Sequence, residues 1–127
     1  MLCVRTLFSI ILLSVTLNAD AATPKKVRAA QTVTLKASWY GKQFHGRKMA
    51  NGKPFNMYDE HTVAHKSWKF GTVILATNIA NGRTCRAVVR DRGPYISGRS
   101  LDFSFAGAQC LGFEKRGVAT VRVRVIK

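Results

Sequence analysis

Alternation of apolar and polar residues with a period of two restricts this chain to β-structure over much of its length. It is clearest in Thr32–Tyr40, Arg83–Asp91 and Val118–Ile126, where small or branched apolar residues occupy every second position. Side chains two residues apart lie on the same face of a strand, so each segment presents one apolar and one polar face. These segments are predicted to be half-buried strands.

The intervening residues predict further short strands and one helix. Phe70–Asn78 has the composition of a buried strand, and the Asn81-Gly82 turn joins it to the next strand as a hairpin. Ser100–Phe103 is another short strand, whereas Val63–Ser67 has no clear pattern. Ser104–Leu111 is the one good helix candidate, with Ser104 as its cap and Gly112 at its end. Five or six short strands with one helix indicate a small closed barrel.

The first residues have the pattern of an export signal. A positive charge at Arg5 precedes the apolar run Leu7–Leu17, and small residues flank a break after Ala21. The run is too short to span a bilayer, so cleavage is favoured over an uncleaved membrane anchor. We therefore predict a signal peptide (1–21), a basic lead-in with the start of the first strand (22–35) and one barrel domain (36–127), released as a soluble periplasmic or secreted protein without a membrane anchor.

The net charge of +15 predicts attraction to polyanions. Cell-wall polymers, anionic lipid surfaces and nucleic acid all meet this description, and charge alone does not separate them. The sequence has neither an aromatic ladder nor a recognition-helix pattern, and the export signal points out of the cytoplasm, so a nucleic-acid partner is not expected.

Two cysteines remain after signal cleavage, Cys85 and Cys110. An even number in an oxidising compartment favours a disulfide, and two buried thiols are the alternative. Neither cysteine has partners at metal-ligand spacing, so no metal or other cofactor is predicted.

Asp91 stands where a strand meets the Gly93-Pro94 turn. Partial burial at a sheet rim favours its protonated form, while the flanking Arg90 and Arg92 favour the ionised form. This balance suits a general acid/base. A cap on the turn, or an ion pair with a neighbouring arginine, is the structural alternative.

Eight separated stretches, in the same order, resemble the RlpA-like double-psi β-barrel family over about residues 36–126. They are Ala37–Gly41, Phe44–Arg47, Ala50–Gly52, Thr62–His65, Phe70–Val73, Thr77-Asn78 with Asn81–Arg83, Arg90–Tyr95, and Gly98–Ser104. The resemblance implies an all-β fold, a six-stranded double-psi β-barrel with one or two short helices.

The resemblance also implies an activity. Better-studied members of this family are exported endolytic transglycosylases that act on peptide-free peptidoglycan strands. They cleave the MurNAc-GlcNAc bond without water, because the muramic C6 hydroxyl attacks C1 and leaves a 1,6-anhydro end. Asp91 matches the family's catalytic aspartate and His65 its motif histidine, which would orient a substrate hydroxyl or tune Asp91; a structural histidine is the alternative.

Other residues receive roles by the same comparison. Asp102 is interpreted as structural, holding loop amides. The parity of Trp39 with Leu35 places Trp39 in the core and Tyr40 towards the groove. The protein is expected to be a monomer whose partner is the glycan strand. The residues predicted to bind that strand are Tyr40, Asn51, Gly52, Lys53, Arg92 and Tyr95.

Two positions depart from the family pattern. Met49 and Lys53 stand where relatives usually have threonine and glutamate, so a hydroxyl and an acid are missing. A cation at position 53 would favour the ionised form of a neighbouring Asp91 and make it a poorer proton donor. The alternative function is therefore a non-catalytic, cationic polysaccharide-binding module, as in expansin-like relatives of the barrel.

Overall fold

Six strands and one α-helix make up a closed barrel in a computed structural model that describes residues 31–127. The predicted signal peptide and most of the basic lead-in lie outside the described residues. The elements are β1 (Thr32–Tyr40), a short 3-10 helix (Lys42–Phe44), β2 (Thr62–His65), β3 (Val73–Asn78), β4 (Thr84–Asp91), β5 (Leu101–Ser104), α1 (Phe105–Leu111) and β6 (Val118–Val125). The predicted barrel is confirmed.

The strands close in the order β1-β5-β2-β4-β3-β6. β1 pairs with β5, and β2 with β4, in parallel, whereas the other four neighbouring pairs are antiparallel. Closure pairs both sides of each of these six strands, so within residues 31–127 the barrel has no open sheet edge. In this order β5 and β2 lie between β1 and β4. The ends of β1, β4 and β5 therefore lie near one another around β2, although they are far apart in sequence.

Inward-facing residues of all six strands form the core. Ile74, Val89, Phe103 and Val121 are fully buried, and Phe103 meets Phe113 edge to face at 6.1 Å between ring centroids. Trp39 packs against this core as its parity predicts, and its indole N–H donates to the Glu114 carbonyl at 3.0 Å.

The helix begins and ends as predicted. The Ser104 hydroxyl accepts a hydrogen bond from the Gly107 amide at 3.0 Å, so Ser104 is the N-cap. Gly112 ends the helix at a φ of 72°, in the left-handed region that favours glycine. Among the described residues, no helix is long and apolar enough to cross a membrane.

The strand bounds agree with prediction to within one residue except at β2 and β3. The sequence of β2 shows no strand pattern, because Thr62, Val63 and Ala64 are all buried and the alternation that identifies a strand is absent. The predicted start of β3 at Phe70 is wrong: the strand begins at Val73. The preceding residues form a turn in which the Thr72 hydroxyl donates to the Lys69 carbonyl at 2.7 Å and Phe70 is exposed.

Cys85 and Cys110 are free thiols in this structure, in which the predicted disulfide is not formed. Their sulfur atoms nevertheless lie within 4.8 Å of each other, on β4 and α1. Burial raises the pKa of the Cys85 thiol, and the neighbouring Cys110 adds to that effect. The disulfide remains a prediction that the fold permits.

Oxidation of this thiol pair is expected to raise the free energy of unfolding by about 3 kcal/mol, because the cross-link closes a loop of 24 intervening residues in the unfolded chain. Urea unfolding with and without a thiol reductant measures the difference. The Cys110→Ser variant is the control and should show no dependence on reductant. Equal stability of the wild type in both conditions, with free thiols found by alkylation, would contradict the prediction.

Candidate active site

A cavity of about 670 Å³ opens where β1, β4 and β5 end. Its wall includes two carboxylates, Asp91 and Asp102, on either side of the small Ala64. The 3-10 helix after β1 and the Gly93–Ile96 segment after β4 form the rim. The barrel therefore places two carboxyl groups in the wall of an open cavity.

Asp91 is held by three hydrogen-bond donors. Its Oδ1 accepts from the amides of Ala50 at 2.9 Å and Arg92 at 2.8 Å, and its Oδ2 accepts from the Tyr40 hydroxyl at 3.1 Å. Donors that converge on both oxygens fix the orientation of the carboxyl group. The predicted acid/base residue is thus half-buried, rigidly placed and on the cavity wall.

Tyr40 is positioned by aromatic packing. Its ring stacks on Phe55 at 4.2 Å between centroids and meets the edge of Phe44 at 5.8 Å. Burial, and secondarily the charge of Asp91, raises the pKa of the Tyr40 hydroxyl far above its usual range. Tyr40 therefore stays protonated and serves Asp91 as a hydrogen-bond donor, in addition to lining the cavity as predicted.

The segment around Asn51-Gly52 folds against the end of β4. The Asn51 amide donates to the Arg90 carbonyl at 3.3 Å, and the Asn51 side-chain oxygen accepts from the Lys53 amide at 3.0 Å. Gly52 has a φ of 88°, as a tight turn requires. Asn51 and Gly52 therefore form the turn that positions the Ala50 amide to donate to Asp91. The Lys53 side chain is exposed.

Met49 belongs to a second, smaller apolar cluster. It is buried with Phe55 and Met57, and Tyr40 and Phe105 pack against them. The methionine that replaces the family's threonine thus contributes packing beneath Tyr40. It does not line the cavity.

The flanking arginines do not pair with Asp91. Arg90 donates to the Asp59 carboxylate at 2.7 Å and to the Thr62 hydroxyl at 2.9 Å. Of the ion pairs within residues 31–127, none involves Asp91. The ion-pair interpretation of Asp91 is therefore wrong.

Arg92 lines the cavity, but its guanidinium contacts groups other than Asp91. Its guanidinium donates to the carbonyls of Trp68 at 2.7 Å and His65 at 3.2 Å, and it stacks over the Phe70 ring at 3.9 Å. These contacts fix the loop after β2 against the end of β4. A direct contact of Arg92 with substrate remains a prediction.

His65 makes the contacts of a structural histidine. Its Nδ1 accepts from the amides of Ser67 at 3.1 Å and Trp68 at 2.9 Å, and the rings of His65 and Trp68 stack at 3.9 Å. Burial, then the nearby cations Arg92 and Lys66, lowers its pKa, which keeps it neutral. Ala64, the preceding residue, faces the cavity, and His65 does not line it. Its predicted catalytic role remains a prediction.

Asp102 contacts a residue of the neighbouring strand β1, and its predicted structural role remains a prediction. Its side chain accepts a hydrogen bond from the Ser38 hydroxyl at 3.1 Å, and among the described residues no loop amide donates to it. Burial raises the pKa of Asp102 to about 6, and the charge of Asp91 adds to that effect, whereas Ser38 and Arg99 oppose it. Sequence reasoning missed Ser38, Ala64 and Arg99, which also line the cavity.

Tyr95 is 80% exposed on the cavity rim, next to the exposed Ile96. A flat aromatic ring in this position suits the stacking of a sugar face. The predicted binding of glycan by Tyr95 remains a prediction. Away from the cavity, Glu60, Cys85 and Cys110 bring one carboxylate and two sulfur atoms within 4.8 Å of one another. Within residues 31–127, these three side chains form the group of donors that could hold a metal ion. Sequence spacing did not predict the contribution of Glu60.

Comparison with known proteins identifies close relatives. Residues 32–123 match the family model described as "Lytic transglycolase". The "Probable endolytic peptidoglycan transglycosylase RlpA" of Aquifex aeolicus is 46% identical over 91 residues, which is 72% of this chain and 40% of that protein. The "Endolytic peptidoglycan transglycosylase RlpA" of Helicobacter pylori is 40% identical over 103 residues, 81% of this chain and 32% of that protein. The chain thus spans well under half the length of these relatives.

Solved structures show the same fold. The Streptomyces papain inhibitor superposes with a TM-score of 0.60 at 25% identity, covering 76% of this chain and 96% of the inhibitor. An expansin of Clavibacter michiganensis gives 0.59 at 22% identity, covering 76% of this chain and 51% of the expansin. With its six-stranded closed barrel and a family match over 32–123, the chain belongs to the lytic transglycolase family of double-psi β-barrel domains.

Proposed function

We propose that this domain cleaves the MurNAc-GlcNAc bond of peptide-free peptidoglycan strands and leaves 1,6-anhydro ends. The observation that carries the proposal is the Asp91 carboxylate, held by three hydrogen-bond donors in the wall of an open cavity of about 670 Å³. The relatives that share 40–46% identity with this chain are named for peptidoglycan transglycosylase activity. The proposed site of action is the cell wall, reached by export.

Asp91 acts in this proposal as the general acid/base. The bond breaks when the bridging oxygen gains a proton and the C6 hydroxyl of the muramic residue attacks C1 while losing its own proton. No water molecule is consumed, so the carboxylate spacing that distinguishes retaining from inverting hydrolases does not apply. A positioned acid/base group contributes typically about 10²- to 10⁴-fold in rate.

The cavity also suits the proposed substrate. Peptide-free strands carry a lactyl carboxylate on each muramic residue, and the chain has a net charge of +15. Arg99 and Lys42 border the cavity, and Tyr95 offers a flat apolar surface at its rim. Electrostatic attraction raises the local concentration of an anionic strand, and stacking orients its sugar rings.

Lys53 and Met49 favour a second candidate, a non-catalytic wall-binding module. Lys53 is exposed where relatives usually present a carboxylate, and Met49 is buried in place of their threonine hydroxyl. In this alternative the cavity binds glycan through its cations and aromatic rim, and Asp91 only holds the turn.

Strand cleavage and strand binding separate the two candidates. Peptide-free strands are incubated with the protein, and fragment length is followed by size-exclusion chromatography while cosedimentation with insoluble glycan measures binding. Progressive shortening of the strands supports the transglycosylase. Cosedimentation with unchanged strand length supports the binding module, and failure in both assays rejects both candidates.

The Lys53→Glu variant is expected to cleave strands about tenfold faster, equivalent to about 1.4 kcal/mol of barrier, because it restores the acid that relatives carry. It should also bind strands more weakly, since a cation is replaced by an anion facing lactyl carboxylates. Initial cleavage rates and cosedimentation measure the two effects. Lys48→Glu, with the same charge change at another exposed position before the turn, is the matched control. An equal response of both variants would assign the effect to net charge.

A further inference from the structure

The register of three strands aligns the two carboxylates of the cavity. Ala64 on β2 pairs with Asp91 on β4 and, on its other side, with Asp102 on β5. The register of β2 and β4 shifts between Val63 and Ala64, so Asp91 lies at an irregularity of the ladder. Asp91, Ala64 and Asp102 all line the cavity, and neighbouring strands lie about 4.8 Å apart, so the two carboxylates face the same space with Ala64 between them.

The surroundings of the two carboxylates differ. Asp91 accepts hydrogen bonds from three donors, two of them backbone amides. Asp102 receives one, the Ser38 hydroxyl, among the described residues. The half-buried Asp102 also lies near the charge of Asp91, and these conditions raise its pKa to about 6.

Carboxyl groups whose environments separate their protonation states commonly divide the acid and base roles of a reaction. We propose that Asp102 is the proton donor to the bridging glycosidic oxygen and that Asp91 is the base that receives the proton of the muramic C6 hydroxyl. This inference rests on the proposed transglycosylase function. It divides between Asp102 and Asp91 the acid and base roles that the proposed function gives to Asp91 alone.

The proposed step balances without a further reactant. The Asp102 proton passes to the bridging oxygen as the C1–O4 bond breaks and that bond's electron pair goes to the leaving hydroxyl. The C6 oxygen forms a bond to C1, and its proton passes to the Asp91 carboxylate. The two carboxyl groups exchange protonation states, and solvent protons reset them once the product leaves.

An activated leaving group separates the two roles. A 2,4-dinitrophenyl glycoside of a MurNAc-terminated glycan oligomer needs no protonation of its leaving oxygen but still needs the C6 hydroxyl to be deprotonated. The Asp102→Asn variant is expected to cleave natural strands about 10²- to 10⁴-fold more slowly and the dinitrophenyl substrate within about tenfold of the wild type. Asp91→Asn should lose both activities.

The outcomes separate a failure of the role assigned to Asp102 from a failure of the proposed transglycosylase function. A wild type that cleaves neither substrate rejects the proposed function. A wild type that cleaves both, with Asp102→Asn equally impaired on both or unimpaired on both, rejects the role of Asp102 alone. Thermal unfolding verifies that the variant is folded.

Ser38→Ala provides a second test that leaves both carboxylates in place. Its hydroxyl lowers the pKa of Asp102, so its removal should raise that pKa. A proton donor is active below its pKa. The decline of kcat/KM with rising pH, near pH 6 in the wild type, should therefore move to higher pH in Ser38→Ala. The other charged groups at the cavity (Asp91, Arg92, Arg99 and Lys42) are unchanged in both proteins, and an unmoved profile would contradict the assignment.

Discussion

The Asp91→Asn variant is expected to cleave peptide-free strands about 10²- to 10⁴-fold more slowly than the wild type. Asparagine has nearly the same shape, and its side-chain oxygen still accepts from the Ala50 and Arg92 amides. The variant loses the capacity to accept a proton. The initial rate of strand shortening, measured with substrate in excess, reports the effect.

Glu114→Gln is the matched control, because it makes the same carboxylate-to-amide change outside the cavity. It should retain wild-type activity. Both variants should bind insoluble glycan as the wild type does, since binding relies on the cavity's cations and aromatic rim. If Asp91→Asn shortens strands at a rate within about threefold of the wild type, Asp91 is not the acid/base of the reaction.

Phe103→Ala is expected to lower the free energy of unfolding by about 3–5 kcal/mol, the usual cost of removing a large aromatic side chain from a core. Phe103 is fully buried and packs against Phe113. It also pairs with Trp39 on one side and Val63 on the other, so its loss weakens contacts across three strands. Urea unfolding measures the change.

The same substitution should disturb the cavity, because Asp102 is the neighbouring residue on β5. Tyr95→Ala is the stability control: the side chain is 80% exposed, and its removal should change the unfolding free energy by less than about 0.5 kcal/mol. A loss below 1 kcal/mol in Phe103→Ala would mean that β5 is not part of the core.

The sequence predicted the long strands well because their periodicity reflects one buried and one exposed face. Alternate residues of β4 are buried as expected, Cys85, Ala87 and Val89 among them. β2 escaped prediction because a short strand buried on both faces has no alternation. The capped helix Phe105–Leu111 was predicted because Ser104 and Gly112 mark its ends chemically.

The candidate site was only partly predictable. Asp91 and Tyr40 were identified, and their hydrogen bond joins residues 51 positions apart that no local pattern connects. The hydrogen-bond partners of Arg90 and Arg92 were not predicted. Successive side chains on a strand point to opposite faces, so the two neighbours of Asp91 in the sequence do not point towards its carboxylate. The position of Asp102 beside Asp91 was unpredictable for the same reason, because it depends on the register of β4, β2 and β5.

Digestion of peptide-free strands in H₂¹⁸O, followed by mass spectrometry of the new ends, distinguishes intramolecular attack from hydrolysis. Intramolecular attack by the C6 hydroxyl excludes water, so we expect 1,6-anhydro ends that contain no ¹⁸O. Asp91→Asn should yield none of these ends under the same conditions. Reducing ends that carry ¹⁸O would show hydrolysis and contradict the account, as would intact strands that remain bound to the wild-type protein.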